Sequence, residues 1–259
     1  MTPSKTHFVL IPTYNTGERL LRTVREALAV WSPVWVIVDG STDGSDASLD
    51  ALANEHGDSL RVFRRAKNGG KGAAVLDGLQ TALSAGFTHA LVLDADGQHP
   101  IDHVVPFMAA SAARPAAMIL GLPVFGPEVP LERLYGRKLS VGLVHLECLG
   151  RDIADPLFGF RVYPVAATHA VLSSIRSARR YDFDPEVAVR LFWRGVPAVN
   201  IPAPCRYIAK SDGGVSHFHY LRDNVRMVWL HTRLITRLVF TFPAVLAARR
   251  RIHPATPHS

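Results

Sequence analysis

The chain has 259 residues, 48% of them hydrophobic, enough to bury a full core, which excludes a disordered, solvating polymer. Its two cysteines, Cys148 and Cys205, lie far apart without metal-ligand spacing, which excludes a disulfide framework and a zinc cluster and fits a reducing cytosol. A formal net charge of +7 suits an anionic partner, whether nucleotide, acidic lipid surface or nucleic acid, and does not choose among them.

The length favours one large α/β domain with an appendage. Phe8 to Ile11 is an apolar run too short for a secretory core, so a cytoplasmic location is expected. The same run reads as a first buried strand, closed by Pro12-Thr13-Tyr14-Asn15. Leu20, Leu21, Val24, Ala27, Leu28 and Trp31 recur at helical spacing until Ser32-Pro33 stops them. Trp35 to Val38 predicts a second strand, which runs into the polar loop Asp39 to Ser45. A helix carrying Leu49 and Leu52, a third strand over Leu60 to Phe63, and a helix opened by Asn68-Gly69-Gly70-Lys71-Gly72 and running through Leu83 complete a β-α-β rhythm.

The fourth strand, Thr88 to Leu93, breaks abruptly into Asp94-Ala95-Asp96-Gly97-Gln98-His99-Pro100. In an open α/β sheet, ligands bind beyond the carboxyl ends of the strands. Asp94 and Asp96 alternate with Ala95, so both side chains can lean toward one point, and two hard anionic oxygens there suit Mg²⁺ or Mn²⁺ held together with a diphosphate. An isolated Asp-x-Asp has a plainer explanation as a turn cap beside a solvated carboxylate. Neither common phosphate motif fits Asn68 to Gly72. A P-loop would need Gly where Arg65 stands and Ser or Thr where Gly72 stands, and a dinucleotide fingerprint belongs on the first β-α turn.

Taken together, Ile11-Pro12-Thr13-Tyr14-Asn15, Val38-Asp39-Gly40-Ser41-Thr42-Asp43, Asn68 to Ala73 and Asp94 to Pro100 resemble the family 2 glycosyltransferases, in particular their polyprenol-phosphate, dolichol-phosphate mannose synthase-like branch. Gly159-Phe160-Arg161, Phe183 with Glu186, and Gly213 to Ser216 continue the resemblance, which spans roughly residues 7 to 220. Stretches such as Arg133 to Arg137 and Tyr181 to Glu186 further resemble a bacterial subgroup of aryl-polyene-pathway type. The resemblance implies a GT-A fold and an inverting, metal-dependent transfer of a sugar from a GDP- or UDP-linked donor to a lipid-linked acceptor. By resemblance, Asp94, Asp96 and Gln98 hold the metal, and Asp39 accepts from the nucleobase with Pro12 and Tyr14 walling base and ribose. Val38 stands where the family often has a second aspartate, which leaves the base open.

Pro123 to Pro130 reads as an acceptor-side loop, after a short strand over Ala116 to Leu122. The helix Leu131 to Leu149 that follows places Arg133 and Arg137 one turn apart. A solvated pair is the ordinary reading, but the resembled branch receives its lipid phosphate here, with Arg137 the better match. Asp184 and Glu186 start another helix, where carboxylates offset the helix dipole. Hydroxyl-acceptor relatives keep a catalytic base at that place, so these two are base candidates if the acceptor is a hydroxyl. A strand over Val196 to Ile201 leads to a basic loop, Cys205 to Gly214, whose Arg206 and Lys210, together with Lys71, are candidates for the diphosphate.

Arg222, Arg226, Arg233 and Arg237 share a narrow arc of a final helix, with Leu221, Val225, Val228, Leu234 and Ile235 spread over its far side. Leu238 to Ala248 is interrupted by Pro243 and is far short of the ~20 residues that span a bilayer, so the helix is expected in the interface plane, with Trp229 and Phe240 as anchors and Arg249 to Arg251 toward acidic headgroups. The competing expectation is a helix packed on the domain. The organisation is thus a GT-A unit over 1–218, with a nucleotide half to about 100 and an acceptor half after it, then a peripheral inner-membrane helix and disordered tail over 219–259. A nucleic-acid binder lacks any recognition motif to accompany the charge, so no nucleic-acid partner is expected. A membrane-docked, non-catalytic module would leave Asp94-Ala95-Asp96 unexplained.

Overall fold

The computed structural model describes residues 2–126, 131–205 and 220–254. Its centre is a seven-stranded sheet built from β1 (His7–Thr13), β2 (Val34–Val38), β3 (Leu60–Arg64), β4 (His89–Val92), β5 (Met118–Phe125), β6 (Arg161–Pro164) and β7 (Ala198–Cys205), in the order β3-β2-β1-β4-β6-β5-β7. Every pairing is parallel except those of β6, which runs antiparallel between β4 and β5. Helices α1 (Arg19–Val30), α2 (Leu49–His56), α3 (Lys71–Ser84), α4 (Val104–Ala113), α5 (Leu131–Glu147), α6 (Val165–Ser173), α7 (Phe183–Trp193) and α8 (Tyr220–Ile252) flank it.

The continuous apolar runs of β1 and β2 follow from burial on both faces. Successive side chains point to opposite sides, so Phe8, Leu10, Trp35 and Ile37 enter one core, and Val9, Ile11, Val34, Val36 and Val38 enter the other. Prolines mark where pairing ends. Pro12 pairs only with β2, because β4 stops opposite Leu10, and Pro202 and Pro204 sit on the edge strand β7. A missing N–H costs least at such places. For this reason β1, β5 and β7 run further than their prolines suggest.

Strand β6 and helices α4 and α6 are additions to the sequence reading. Residues 161–164 begin with Arg161, and such a short segment carries no period of its own. Its antiparallel register, Val92 against Arg161, turns Gly159-Phe160 back beside the residues that follow β4. Helix α8 also differs from expectation, since it continues through Pro243 to Ile252. Leu230 and Leu234 join the core on α5 and α7, Leu238, Val245 and Ala248 are buried, and Val225, Val228, Trp229, Val239 and Phe240 stay exposed. No helix of the described residues is long and apolar enough to cross a membrane.

Candidate active site

Asp94 and Asp96 follow β4 after Leu93, at the carboxyl ends of the parallel strands β1, β2 and β4. The Asp94 backbone N–H donates to His99 Nδ1 at 3.0 Å, and His99 Nε2 lies 3.5 Å from Asp94 Oδ2. An acceptor at Nδ1 means that the neutral ring carries its proton on Nε2, facing the carboxylate. Phe158 and Phe160 meet this ring edge-on and hold its plane. Gln98 donates its backbone N–H to Asp96 Oδ1 at 3.0 Å, closing the turn at Gly97 (φ +77°).

Lys71, the first residue of α3, reaches into the same place. Its Nζ is 2.8 Å from Asp94 Oδ1 and 2.8 Å from Asp184 Oδ2, and 5.6 Å from the Phe183 ring. Burial opposes the Lys71 charge, but Asp184 and Asp94 outweigh it and raise its pKa. Burial would raise the Asp94 carboxyl too, yet Lys71, His99 and Arg161 leave it lowered. Asp96 goes the other way, raised by burial and then by Asp94 beside it. Asp184 Oδ1 is buried without a donor among the described residues. The close approach depends on Gly159, where an added Cβ would stand 2.6 Å from Lys71 Nζ and 2.8 Å from Asp94 Oδ2.

The glycine-rich turn before α3 is organised by Asp39. Its oxygens accept from the backbone N–H groups of Gly69 (2.9 Å) and Gly70 (2.6 Å) and from the Arg65 guanidinium. The amides that a glycine turn at a helix start offers to an anion are therefore met by a carboxylate of this chain. Pro12 is buried in β1 and Tyr14 is half-buried just beyond it.

After β5, Arg137 of α5 binds Asp155 through Nε and through Nη2 at 3.0 Å, with its guanidinium 5.0 Å from the Phe125 ring. Asp155 also accepts from the backbone of Leu157 and Phe158. Buried Arg161 ties this loop to α7 by donating to the carbonyls of Phe158, Asp155 and Asp184. Glu186 sits apart from Lys71 and Asp94. It is 0% exposed, and its oxygens accept from Ser177, Arg190 and Arg233. Thus Asp94, Asp184 and Lys71 converge, Asp96 and Gln98 adjoin them, and Arg137 and Glu186 are each held in a separate ion pair. Arg206 and Lys210 lie outside the described residues, as do Gly213 to Ser216. His99, Gly159, Arg161 and Asp155 belong to the site without having been assigned roles from sequence. His99, Gly159 and Arg161 stand within the motifs that carry the family resemblance, but their contacts arise from packing.

The donor set fits a hard divalent cation. Among the described residues no group of three or more His, Cys, Asp or Glu side chains forms a complete metal cage. The chain would supply Asp94, Asp96 and the Gln98 carbonyl, a small share typical of cations that keep water and take substrate phosphate oxygens. Burial first and the Asp94 charge second raise the Asp96 carboxyl, so a cation between the two would be met by charge that the chain itself does not fully offset.

The family model described as Glycosyl transferase family 2 matches residues 8–168. The chain is 30% identical over 205 residues to a polyprenol monophosphomannose synthase of Mycolicibacterium smegmatis, covering 77% of each. It is 23% identical over 199 residues to a UDP-N-acetylglucosamine–dolichyl-phosphate N-acetylglucosaminyltransferase of Methanococcus voltae, covering 70% of this chain and 78% of that one. In fold it is similar to a mannosyltransferase from Pyrobaculum calidifontis solved with GDP-Man and Mn²⁺, with a TM-score of 0.62 at 18% identity over 98% of this chain and 72% of that one. The crevice at the ends of β1, β2 and β4, the carboxylate pair after β4 and the family match over residues 8–168 agree: the chain is an enzyme of glycosyl transferase family 2 with the GT-A fold.

Proposed function

We propose that the protein transfers a sugar from a nucleotide diphosphate donor, GDP- or UDP-linked, to a polyprenyl phosphate, with inversion at the anomeric carbon. The observation that carries this is the convergence of Lys71, Asp94 and Asp184 beside Asp96, in a chain 30% identical to a polyprenol monophosphomannose synthase. A bound Mg²⁺ or Mn²⁺, held by Asp94, Asp96 and Gln98, would offset the charge that develops on the departing nucleoside diphosphate. Lys71 would add a fixed positive charge at that point. The acceptor phosphate oxygen attacks the anomeric carbon as the bond to the diphosphate breaks. That oxygen is already anionic at neutral pH, so no group of the chain has to remove a proton. Arg137 orients it, sharing its planar fork between Asp155 and the phosphate.

Asp39, Pro12 and Tyr14 flank the donor's nucleoside, and Arg206 and Lys210 close on its diphosphate. A hydroxyl acceptor is the second reading, favoured by one observation, the donorless Oδ1 of Asp184, which could take a hydroxyl proton. The outward side of α8, with Trp229 and Phe240, rests on the cytoplasmic leaflet and places the site within reach of the lipid.

The test is transfer from a panel of GDP- and UDP-sugars to a short-chain polyprenyl phosphate, with and without Mn²⁺. A polyprenyl phosphosugar formed only with metal is expected. Transfer to glycolipid hydroxyls but not to the phosphate would overturn the first reading in favour of the second.

A further inference from the structure

Where α7 and α8 pack together, Arg190 of α7 and Arg233 of α8 share Glu186, with Arg194 just past the end of α7 and Arg237 one turn further along α8. One buried carboxylate serves this cluster. Glu186 Oε1 accepts from Arg190 Nε (2.9 Å) and Nη2 (2.7 Å), and Oε2 accepts from Arg233 Nη2 (2.8 Å). Asp182 stands at the margin, 4.0 Å from Arg233. The Arg194 guanidinium has only the Ser174 hydroxyl, at 3.0 Å, and the Arg237 guanidinium has no hydrogen-bond or carboxylate partner among the described residues. Arg233 Nε is a buried donor without an acceptor. Burial and then the charges of Arg190 and Arg237 depress the Arg194 guanidinium.

The cluster borders a groove of about 610 Å³ lined by Arg190, Arg233 and Arg237, together with Trp229 and Phe240 of α8. Trp229 is 59% and Phe240 81% exposed, and Val225, Val228 and Val239 extend the same outward stripe. Aromatic rings belong at the depth of lipid headgroups, and guanidinium forks match phosphate oxygens two at a time. Charge complementarity and the flanking aromatics select one occupant.

We propose that the groove beside α7 and α8 is a binding site for the phosphate of an anionic bilayer phospholipid, gripped by Arg233 and Arg237 of its lining, with Arg194 outside the lining adding to the positive field and Trp229 and Phe240 beside the acyl chains. This rests on the membrane-docked reading of α8 and goes beyond it. Docking is then anchored by a defined headgroup site rather than by diffuse charge, and that site shares no residue with the Asp94 crevice.

The test uses the full chain and vesicles of phosphatidylcholine alone or with 30% phosphatidylglycerol, comparing Arg194→Gln/Arg237→Gln with a charge-matched control, Arg250→Gln/Arg251→Gln. Wild-type protein should bind the anionic vesicles, with Trp229 fluorescence quenched by brominated lipid. The 194/237 variant should lose about tenfold or more in vesicle affinity while its melting temperature stays level or rises. The control should lose less, and inorganic phosphate at millimolar levels should not compete. Wild-type binding that the 194/237 variant retains, or loses no more than the control does, would overturn the headgroup site and leave membrane docking standing. No binding of wild type to either vesicle would remove both. Competition by free phosphate would reassign the groove to a soluble anion.

Discussion

Lys71 Nζ lies 2.8 Å from Asp184 Oδ2, a contact across 113 positions of chain that ties the first turn of α3 to the first turn of α7. The same ammonium holds Asp94 Oδ1 at 2.8 Å. One cation thus fixes a carboxylate that follows β4 relative to a carboxylate in the first turn of α7. Removing a single partner would leave buried charge uncompensated, which costs more than the pair contributes.

Gly159 tests how closely that pair is fitted. A Cβ there would meet Lys71 Nζ at 2.6 Å and Asp94 Oδ2 at 2.8 Å, both at the ends of side chains that can move. Gly159→Ala is therefore expected to fold, with a melting temperature within a few degrees of wild type, and to lower kcat tenfold or more by displacing Lys71 from Asp94. Unchanged kcat would show that the approach of Gly159 to the pair does not matter for transfer.

His99 is expected to act by positioning Asp94. Its Nδ1 fixes the Asp94 backbone and its Nε2 faces the Asp94 carboxylate. In His99→Asn the shorter side chain can keep the first contact but not the second. Mn²⁺ dependence of the rate should shift several-fold to higher concentration, with a smaller change in kcat at saturating metal, as is usual for a group that orients a metal ligand. A purely structural role would lower the melting temperature and leave the Mn²⁺ dependence in place.

Arg137 and Asp184 separate the two acceptor chemistries. With polyprenyl phosphate, Arg137→Lys should raise the acceptor KM about tenfold and spare slow donor hydrolysis, because lysine cannot divide a planar fork between Asp155 and a phosphate. Asp184→Asn should then cost less than Arg137→Lys. With a hydroxyl acceptor the order reverses, and Asp184→Asn should cost on the order of 10² to 10⁴ in rate.

His7 sets part of the acid sensitivity of the fold. It stacks on His89 at 4.5 Å, its Nε2 is 3.2 Å from Ser111 Oγ, and burial followed by the His89 charge lowers its pKa to about 4. The unfolded chain, near the ordinary 6.5, binds the proton first on acidification. Stability is therefore fully present above pH 6.5 and drains away as pH falls toward 4, by at most about 3 kcal/mol from this group. His7→Gln should flatten the stability profile over that window in urea melts. Parallel profiles for both proteins would rule His7 out as the titrating group.

Sequence alone determined the elements whose cause is local. Apolar runs buried on two faces made β1, β2 and β4 legible, and the break after Leu93 placed Asp94 and Asp96 at a strand's carboxyl end. The glycine turn before Lys71 announced a helix start, and the ordered motifs pointed to family 2, which the match over residues 8–168 bears out. Tertiary structure decided what depends on partners distant in the chain. Arg161 to Pro164 becomes a strand only because β4 and β5 leave a gap of one strand's width, and its antiparallel direction is what brings Gly159 to Asp94. Asp184 and Glu186 are two residues apart on one helix turn and read alike in sequence. Lys71 draws the first into the crevice, while Arg190 and Arg233 enclose the second. The arginines of α8 divide in the same way: of the stripe, Arg233 is ion-paired to the domain while Arg237 faces the groove, and Arg249, expected to face headgroups, is instead paired with Asp152 of the domain. Periodicity fixes which side chains share a face of a helix, but whether a face meets a carboxylate, a core or water depends on packing across the whole chain, which no local pattern encodes.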